Sequence, residues 1–350
     1  MRTPALNDRR NRQILADIVR TYIETGEPVS SRAIARRYAE PLSPATIRNV
    51  MSDLEDEGLL YQPHTSAGRV PTPAAYRFFV QEIASQATLE PEDQKFIRDE
   101  LAAAFTPDEI MERASHVLAK LSHGLGIVLS PPISRIVLEY IRFVLLPDGR
   151  ILAVLVSGGG LTRDKVMMPD RSFTQDELDR TANYLNQTYR GWTLRAIRED
   201  LEKHILSESQ RYDHLANNAL VLCKAESLAE DAVTQVYVEG AAQIATAPEF
   251  ADQRQLRELL ETIEERKKLV ALLTSCIEAP EPIQVQIGVK EISSAGENLA
   301  LIMAPYACHD RVQGSLGVLG PLRMQYERAI TAVAYVAKIF NQQLSGVESP

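Results

Sequence analysis

Between Asn7 and Gly26 apolar residues recur every three or four positions, with Ile14, Ile18 and Tyr22 in one row and Leu15 and Val19 beside them. That is the period of a helix with one buried face, and Asn7 stands where an N-cap belongs. Ser31 caps a second, shorter predicted helix, which turns Ile34 and Tyr38 inward and Arg32, Arg36 and Arg37 outward. Glu40 to Ser43 then form a turn. Ser43 followed by Pro44 reads as N-cap and first helical residue, because the donor that proline lacks has no partner in a first turn anyway. This third helix runs to about Glu57, and Gly58 ends it. Its Ile47, Val50, Met51 and Leu54 share one face, while Ala45, Asn49, Ser52 and Asp56 hold the opposite one, flanked by Thr46 and Arg48.

The exposed face is short-chained and polar at its N-terminal end; Asp53, Glu55, Asp56 and Glu57 crowd the other end. An asparagine amide pairs with both polar groups of an adenine edge, an arginine with those of guanine, and an alanine methyl lies against the thymine methyl. The acids repel phosphates and oppose the helix dipole, so such a helix enters a DNA groove by its N-terminus. Leu59 to Gln62 and Arg69 to Pro71 read as two strands joined by a tight loop, His64 to Gly68, with His64 and Arg69 near the tip. Helix, turn, helix and wing is the order in which a DNA-binding module presents one helix to the major groove. A purely structural three-helix subdomain with solvated arginines gives a similar pattern, and the chemistry of the exposed face favours the first reading. Pro73 to Ala84 closes the module as a helix whose Tyr76, Phe78, Phe79 and Ile83 are core rather than a base-stacking platform. Arg77 is given no role beyond a phosphate contact.

Ser85 to Gln94 is polar and contains Pro91, so the first module ends near residue 90. Asp108 to Leu121 is an amphipathic helix. Ile127 to Leu129, Ile136 to Leu146 and Ile151 to Val156 read as strands of an antiparallel sheet, the last two joined by a Pro147, Asp148, Gly149 turn. Helices resume near Thr174, where Thr174 and Glu177 make a capping box, and again from Thr193 and Asp213. Val236 to Val238 is a short strand and Leu256 to Leu273 a further amphipathic helix. The sheet returns at Ile283 to Val289, Leu299 to Pro305 and Ser315 to Leu319. Tyr326, Ile330, Val333, Ala337, Phe340 and Leu344 then form the stripe of a terminal helix, packed on the sheet or on the Asp108 helix. A helical block between two runs of strands is the pattern of an insertion into a sheet domain.

With 350 residues, two or three domains are expected, and 45% hydrophobic with 24% charged residues is ordinary for a globular chain. No apolar run reaches the roughly 18 residues of a membrane span, and the polar, Arg-rich start is no signal peptide, so the cytoplasm is expected. The net charge of -9 looks wrong for nucleic acid until it is divided by region. Residues 1 to 52 hold nine arginines, no lysine and five acids, a local +4; the remaining residues sum to -13. Such locality is an electrostatic footprint. Cys223, Cys276 and Cys308 are too far apart for a disulfide framework or a metal clip and read as reduced structural thiols. No histidine pair has zinc spacing, and Gly158 to Gly160 lacks the Lys and Ser/Thr of a phosphate loop, so a glycine-rich turn is expected there. No catalytic group of residues stands out, so neither an enzyme nor a cofactor is expected.

The run SPATIRNVMSD (Ser43 to Asp53), continuing through Leu54, Glu55 and Gly58 to PHTSAGRVPT (Pro63 to Thr72) and AAYRFFV (Ala74 to Val80), closely resembles the N-terminal domain of the heat-inducible transcription repressors of the HrcA family. GVLGPLRMQYERAI (Gly317 to Ile330) resembles their C-terminal segment. The resemblance implies an α+β multidomain chain: a winged helix-turn-helix DNA-binding domain (1–90), a GAF-like antiparallel sheet domain in two parts (91–171 and 291–345), and an inserted, mostly helical dimerisation domain (172–290). It implies a homodimer that binds an inverted-repeat operator in double-stranded DNA upstream of chaperone operons and depends on the GroEL chaperonin for its active form. On this reading Ala45, Arg48, Asn49 and Ser52 meet bases, Ser43, Thr46 and Arg36 or Arg37 fix the backbone register, and His64 and Arg69 serve the wing. SGGG (Ser157 to Gly160) departs from the Thr-Asp-Ser-Gly-like turn usual in the family, and IGVKEISSAGEN (Ile287 to Asn298) is longer than the family's Ile-Gly-x-Glu-Asn. The competing reading is a metabolite-responsive regulator with an effector in the GAF-like domain.

Overall fold

The computed structural model of the chain describes residues 4–37, 42–65, 67–83, 88–131, 136–158, 160–169, 171–207, 213–224, 235–245, 254, 256–257, 260–261, 267–278, 281–291, 294–308 and 311–344. It begins with three helices, α1 (Arg9–Thr25), α2 (Ser31–Ala35) and α3 (Pro44–Asp56). A hairpin of β1 (Leu60–Tyr61) and β2 (Val70–Pro71) follows, then α4 (Pro73–Ile83). The apolar stripes read from the sequence are its core: Ile14, Leu15, Ile18, Ile34, Ile47, Leu54 and Phe79 are fully buried.

Two caps differ from expectation by one residue. Asn7 lies in a 3-10 turn, Pro4–Asn7, and Asp8 is the residue in extended backbone whose carboxylate accepts the Arg10 amide proton at 2.8 Å. Ser31 is buried, and the exposed Ser30 accepts the Ala33 amide proton at 3.2 Å. Tyr38 and Glu40 lie outside the described residues.

Of the polar stretch Ser85 to Gln94, residues 85–87 lie outside the described residues, and the rest is helical from Pro91 onward. Pro91 opens α5 (Pro91–Ala102) from the first turn, where a missing donor costs nothing. Helix α6 (Pro107–Ser122) follows, capped by Thr106, whose hydroxyl accepts the Glu109 amide proton at 3.2 Å.

The strands divide into two larger sheets in a way their order along the chain does not suggest. One is five-stranded and antiparallel, in the order β7 (Val236–Glu239), β3 (Leu125–Leu129), β10 (Arg311–Pro321), β9 (Leu299–Cys308), β8 (Gln284–Ile287). Helix α6 and the terminal helix α12 (Tyr326–Leu344) cover one face, so the terminal stripe meets both partners expected for it. Helix α11 (Lys267–Glu278) covers the other through Leu269, Leu273, Cys276 and Ile277. With both faces covered, every residue of β3 is buried. Helix α6 lies so close that a Cβ at Gly126 would stand 1.9 Å from the Ser115 carbonyl oxygen, which only glycine avoids.

The second sheet is a meander of β4 (Leu138–Leu145), β5 (Ile151–Ser157) and β6 (Thr162–Met167). The expectation that these strands join Ile127 to Leu129 in one sheet is therefore corrected: hairpin turns are local signals, whereas the partner of β3 lies more than a hundred residues away at β7 and β10. Helices α7 (Gln175–Thr188), α8 (Leu194–Ser207) and α9 (Asp213–Lys224) belong with this meander, and α7 carries the expected Thr174 and Glu177 capping box. One face of the meander packs on α7. The other carries Tyr140, Arg142, Val154, Val156, Asp164 and Val166, which are half-buried or exposed. Arg163 ties the meander to α6 through Asp108 at 3.1 Å. Between α9 and α11 lie β7 and the short α10 (Ala241–Ala245).

Cys223 and Cys276 are free and buried, and burial pushes their thiols up to about 12 and about 11. Among the described residues no group of three His, Cys, Asp or Glu is placed to hold a metal ion, and no helix is long and apolar enough to cross a membrane.

Candidate nucleic-acid interface

Helix α3 begins where the sequence places it. Ser43 Oγ accepts the Thr46 amide proton at 3.1 Å and shares a hydrogen bond with Thr46 Oγ1 at 2.9 Å, which holds the first turn and leaves Thr46 half-buried. Ile47, Val50, Met51 and Leu54 anchor the buried face, so Ala45, Arg48, Asn49 and Ser52 stand together on the exposed one. Arg48 has no ion pair among the described residues.

The acids at the C-terminal end have structural partners. Glu57 accepts the Ala5 amide proton at 2.6 Å, and Glu55 holds Arg69 at 2.7 Å. Arg69 is not at the wing tip: its amide and carbonyl pair with Val29 at 2.9 Å each, extending the hairpin at its root, and its side chain is only 17% exposed. Once the backbone of residue 69 bonds to Val29, the turning part of the wing is confined to residues 62–67. Gly68 permits that bridge, since a Cβ there would lie 2.5 Å from the Val29 carbonyl. His64 is exposed on the turning part. Gln62, which no spacing or motif singles out, donates to the Thr65 and Ala67 carbonyls at 2.9 Å each and shapes the loop.

Between α3 and the wing lies an open cleft of about 470 Å³, bordered by Ser30, Arg48, Gln62, Thr65 and Arg69. Its charged groups are two arginines, set among uncharged polar and apolar residues. Just past the end of α2 both Arg36 and Arg37 are exposed; Arg37 is paired with Glu24 of α1, and Arg36 has no ion pair among the described residues. Arg77 turns from this side altogether and donates to the Ile287 carbonyl oxygen at 3.3 Å, so the phosphate contact allowed for it is corrected.

The comparisons with known proteins agree over almost the whole chain. Residues 108–330 match the family model described as the HrcA protein C-terminal domain. A heat-inducible transcription repressor HrcA of Geobacter sulfurreducens is 39% identical over 338 residues, covering 96% of this chain and 98% of that protein. The chain belongs to the HrcA family. A second member, from Syntrophobacter fumaroxidans, is 34% identical over 96% of this chain and 97% of its own. The fold is shared with a crystal structure described as a hypothetical protein, with a TM-score of 0.63 and 23% identity over 97% of this chain and 98% of that one. HrcA relatives bear the name of heat-inducible transcription repressors, which places this chain among heat-shock regulators of transcription.

Proposed function

We propose that this HrcA chain is a cytoplasmic, homodimeric repressor whose first domain is a winged helix-turn-helix that occupies an inverted-repeat operator upstream of chaperone operons. Ala45, Arg48, Asn49 and Ser52 read base edges from the N-terminal half of α3. Ser43, Thr46 and Arg36 or Arg37 set the helix on the phosphates, His64 reaches out from the wing, and Arg69 holds the wing root against α3 through Glu55. The observation that carries this reading is the polarity of α3: its exposed N-terminal half carries small polar groups and one arginine with no ion pair among the described residues, while two of its four C-terminal acids are engaged in holding the fold. Repression then needs only occupancy, with no catalytic step.

The open face of the meander supports the homodimer. Across its three strands Arg142, Val154 and Asp164 lie in one row, with Val144, Leu152 and Val166 in the next but one. A two-fold axis along β5 lays each sheet on its copy so that Arg142 of one meets Asp164 of the other over an apolar centre. An axis across the strands would oppose like charges. Self-complementarity of this kind is what a two-fold interface requires. The body is then a GAF-like domain interrupted by an inserted dimerisation domain; the separate pairing of β4 to β6 and their packing with α7 to α9 support moving the insertion from 172–290 to between Ile136 and Lys224, since β7 and β8 belong to the five-stranded sheet and α11 packs on it.

A link to the GroEL chaperonin comes with the family reading: heat draws the chaperonin to unfolded clients, less repressor is matured, and the operon opens. The deciding experiment is a gel-shift titration against an inverted repeat from upstream of a chaperonin operon, before and after mild heating, with and without chaperonin. Binding of the repeat over scrambled DNA, lost on heating and restored by chaperonin, is expected. Equal affinity for scrambled DNA overturns the operator reading, and binding indifferent to chaperonin overturns that dependence.

A further inference from the structure

The head, α1 to α4 with the β1–β2 hairpin, packs on the body: α1 and α4 lie against the start of α12. Tyr326 is fully buried there, its ring 6.0 Å from that of Tyr76 and 6.3 Å from that of Phe79. Beside it Glu327 accepts from Arg20 Nη2 at 3.2 Å, and the same guanidinium lies over the Phe79 ring at 5.5 Å. One turn earlier the Arg323 guanidinium stands over the Tyr22 ring at 5.7 Å. On the far side Arg77 closes the contact at the end of edge strand β8. Two arginines of the head, Arg20 and Arg77, thus face the body.

We propose that Arg323, Tyr326 and Glu327 are positioning residues for operator binding, fixing the angle of the head so that both α3 helices of the dimer meet their half-sites together. This rests on the reading of the chain as a dimer on an inverted repeat. Two linked heads gain over one only as far as the second is presented in register with its half-site. A head on a loose tether accepts many spacings and binds each of them less well. The aromatic contact supplies the attraction. The Arg20–Glu327 pair, with both side chains about two-fifths exposed, contributes little energy and chooses the rotation at which the head seats.

The full-length chain carrying Glu327→Arg places like charges at that seat; Glu327→Asp keeps the charge, and Arg323→Gln weakens the clasp at a second point. The probes are an inverted repeat that the wild-type chain selects from random duplexes, a single half-site from it, and the repeat with one base pair added to or removed from its spacer. Glu327→Arg is expected to lose about tenfold on the intact repeat, to bind the half-site as wild type does, and to discriminate less among spacers. Arg323→Gln should shift all three readouts in the same direction, Glu327→Asp should restore them, and melting temperature and dimer mass should stay put. Wild-type affinity and spacing preference in both Glu327→Arg and Arg323→Gln would overturn the proposal, as would equal losses on half-site and repeat, or tighter binding of the repeat. A wild-type chain that selects no two-fold repeat overturns the operator reading, and the positioning role with it.

Discussion

Ser43→Ala removes an acceptor that the first turn of α3 uses for the Thr46 amide at 3.1 Å and for the Thr46 hydroxyl at 2.9 Å. Ser43 is exposed, so water recovers part of the loss, and about 1 kcal/mol of stability is the expected cost. Ser43→Asp keeps the cap, and its carboxylate gains ~0.3–1 kcal/mol at the positive end of the helix dipole, so this variant melts at or above wild type. On DNA the order changes. If α3 enters the groove by its N-terminus, that carboxylate stands about 5 Å from a phosphate, where two like charges in water repel by ~0.8 kcal/mol. Two such phosphates, one in each half-site of the dimer, give a loss of roughly tenfold at low salt, and the salt slope flattens by about 1.8 as two counterions fewer are released. Thermal denaturation and fluorescence anisotropy from about 50 to 200 mM salt measure the two effects separately. A Ser43→Asp chain that is stable and binds as tightly as wild type at low salt refutes the orientation of α3 on DNA. Equal destabilisation by Ala and Asp refutes the cap.

Other consequences are equally direct. Asn49→Ala is expected to cost about 1 to 3 kcal/mol on the specific operator and almost nothing on scrambled DNA, and equal losses in paired gel shifts would remove Asn49 from base reading. Arg328 donates two hydrogen bonds to Asp93, at 2.7 and 2.8 Å, and holds its carboxyl below the ordinary 3.8. The folded value therefore lies below the unfolded one, so this stabilisation of α5 against α12 is fully present above about pH 4 and is lost as pH falls through the folded value. Urea titrations should show Asp93→Asn less stable than wild type at neutral pH, with the gap closing at lower pH; a gap that does not change with pH counts against the pair. Leu152→Lys, on the open face of the meander, should yield monomers in sedimentation with an intact fold by circular dichroism, and an undissociated dimer would place the two-fold interface elsewhere.

What the sequence disclosed was local. The Ser43 and Pro44 start of α3, the Pro147 to Gly149 turn and the Thr174 capping box are each written in neighbouring residues, and all three form as expected. The exposed face of α3 was legible for the same reason, since a helical face needs only its own spacing. Signals with two meanings misled: Pro91 starts a helix as readily as it breaks one, and Ser30 and Ser31 compete for one cap. Strand β6 (TRDKVM) hid because an edge strand with one face to solvent is half polar. The split into two sheets depends on partners distant in sequence, which no periodicity encodes, and the seat of the head on α12 joins residues some three hundred positions apart.

The same limit applies to charge. The local +4 of the first 52 residues counts nine arginines as one footprint, yet Arg10 is paired with Asp8, Arg12 with Glu82, Arg20 with Glu327 and Arg37 with Glu24. Arg32, Arg36 and Arg48 are the exposed arginines of α2 and α3, or of their ends, that have no ion pair among the described residues. If each meets one phosphate, a dimer neutralises six, and the logarithm of affinity should fall against the logarithm of salt with a slope of about -5. Arg36→Ala removes two of those contacts per dimer and should flatten the slope by about two units on specific and scrambled DNA alike. A wild-type slope nearer -9 would mean that Arg37 and Arg69 leave their carboxylates for phosphates, so that the wing and α2 rearrange on binding. A slope unmoved by Arg36→Ala would take α2 off the DNA altogether.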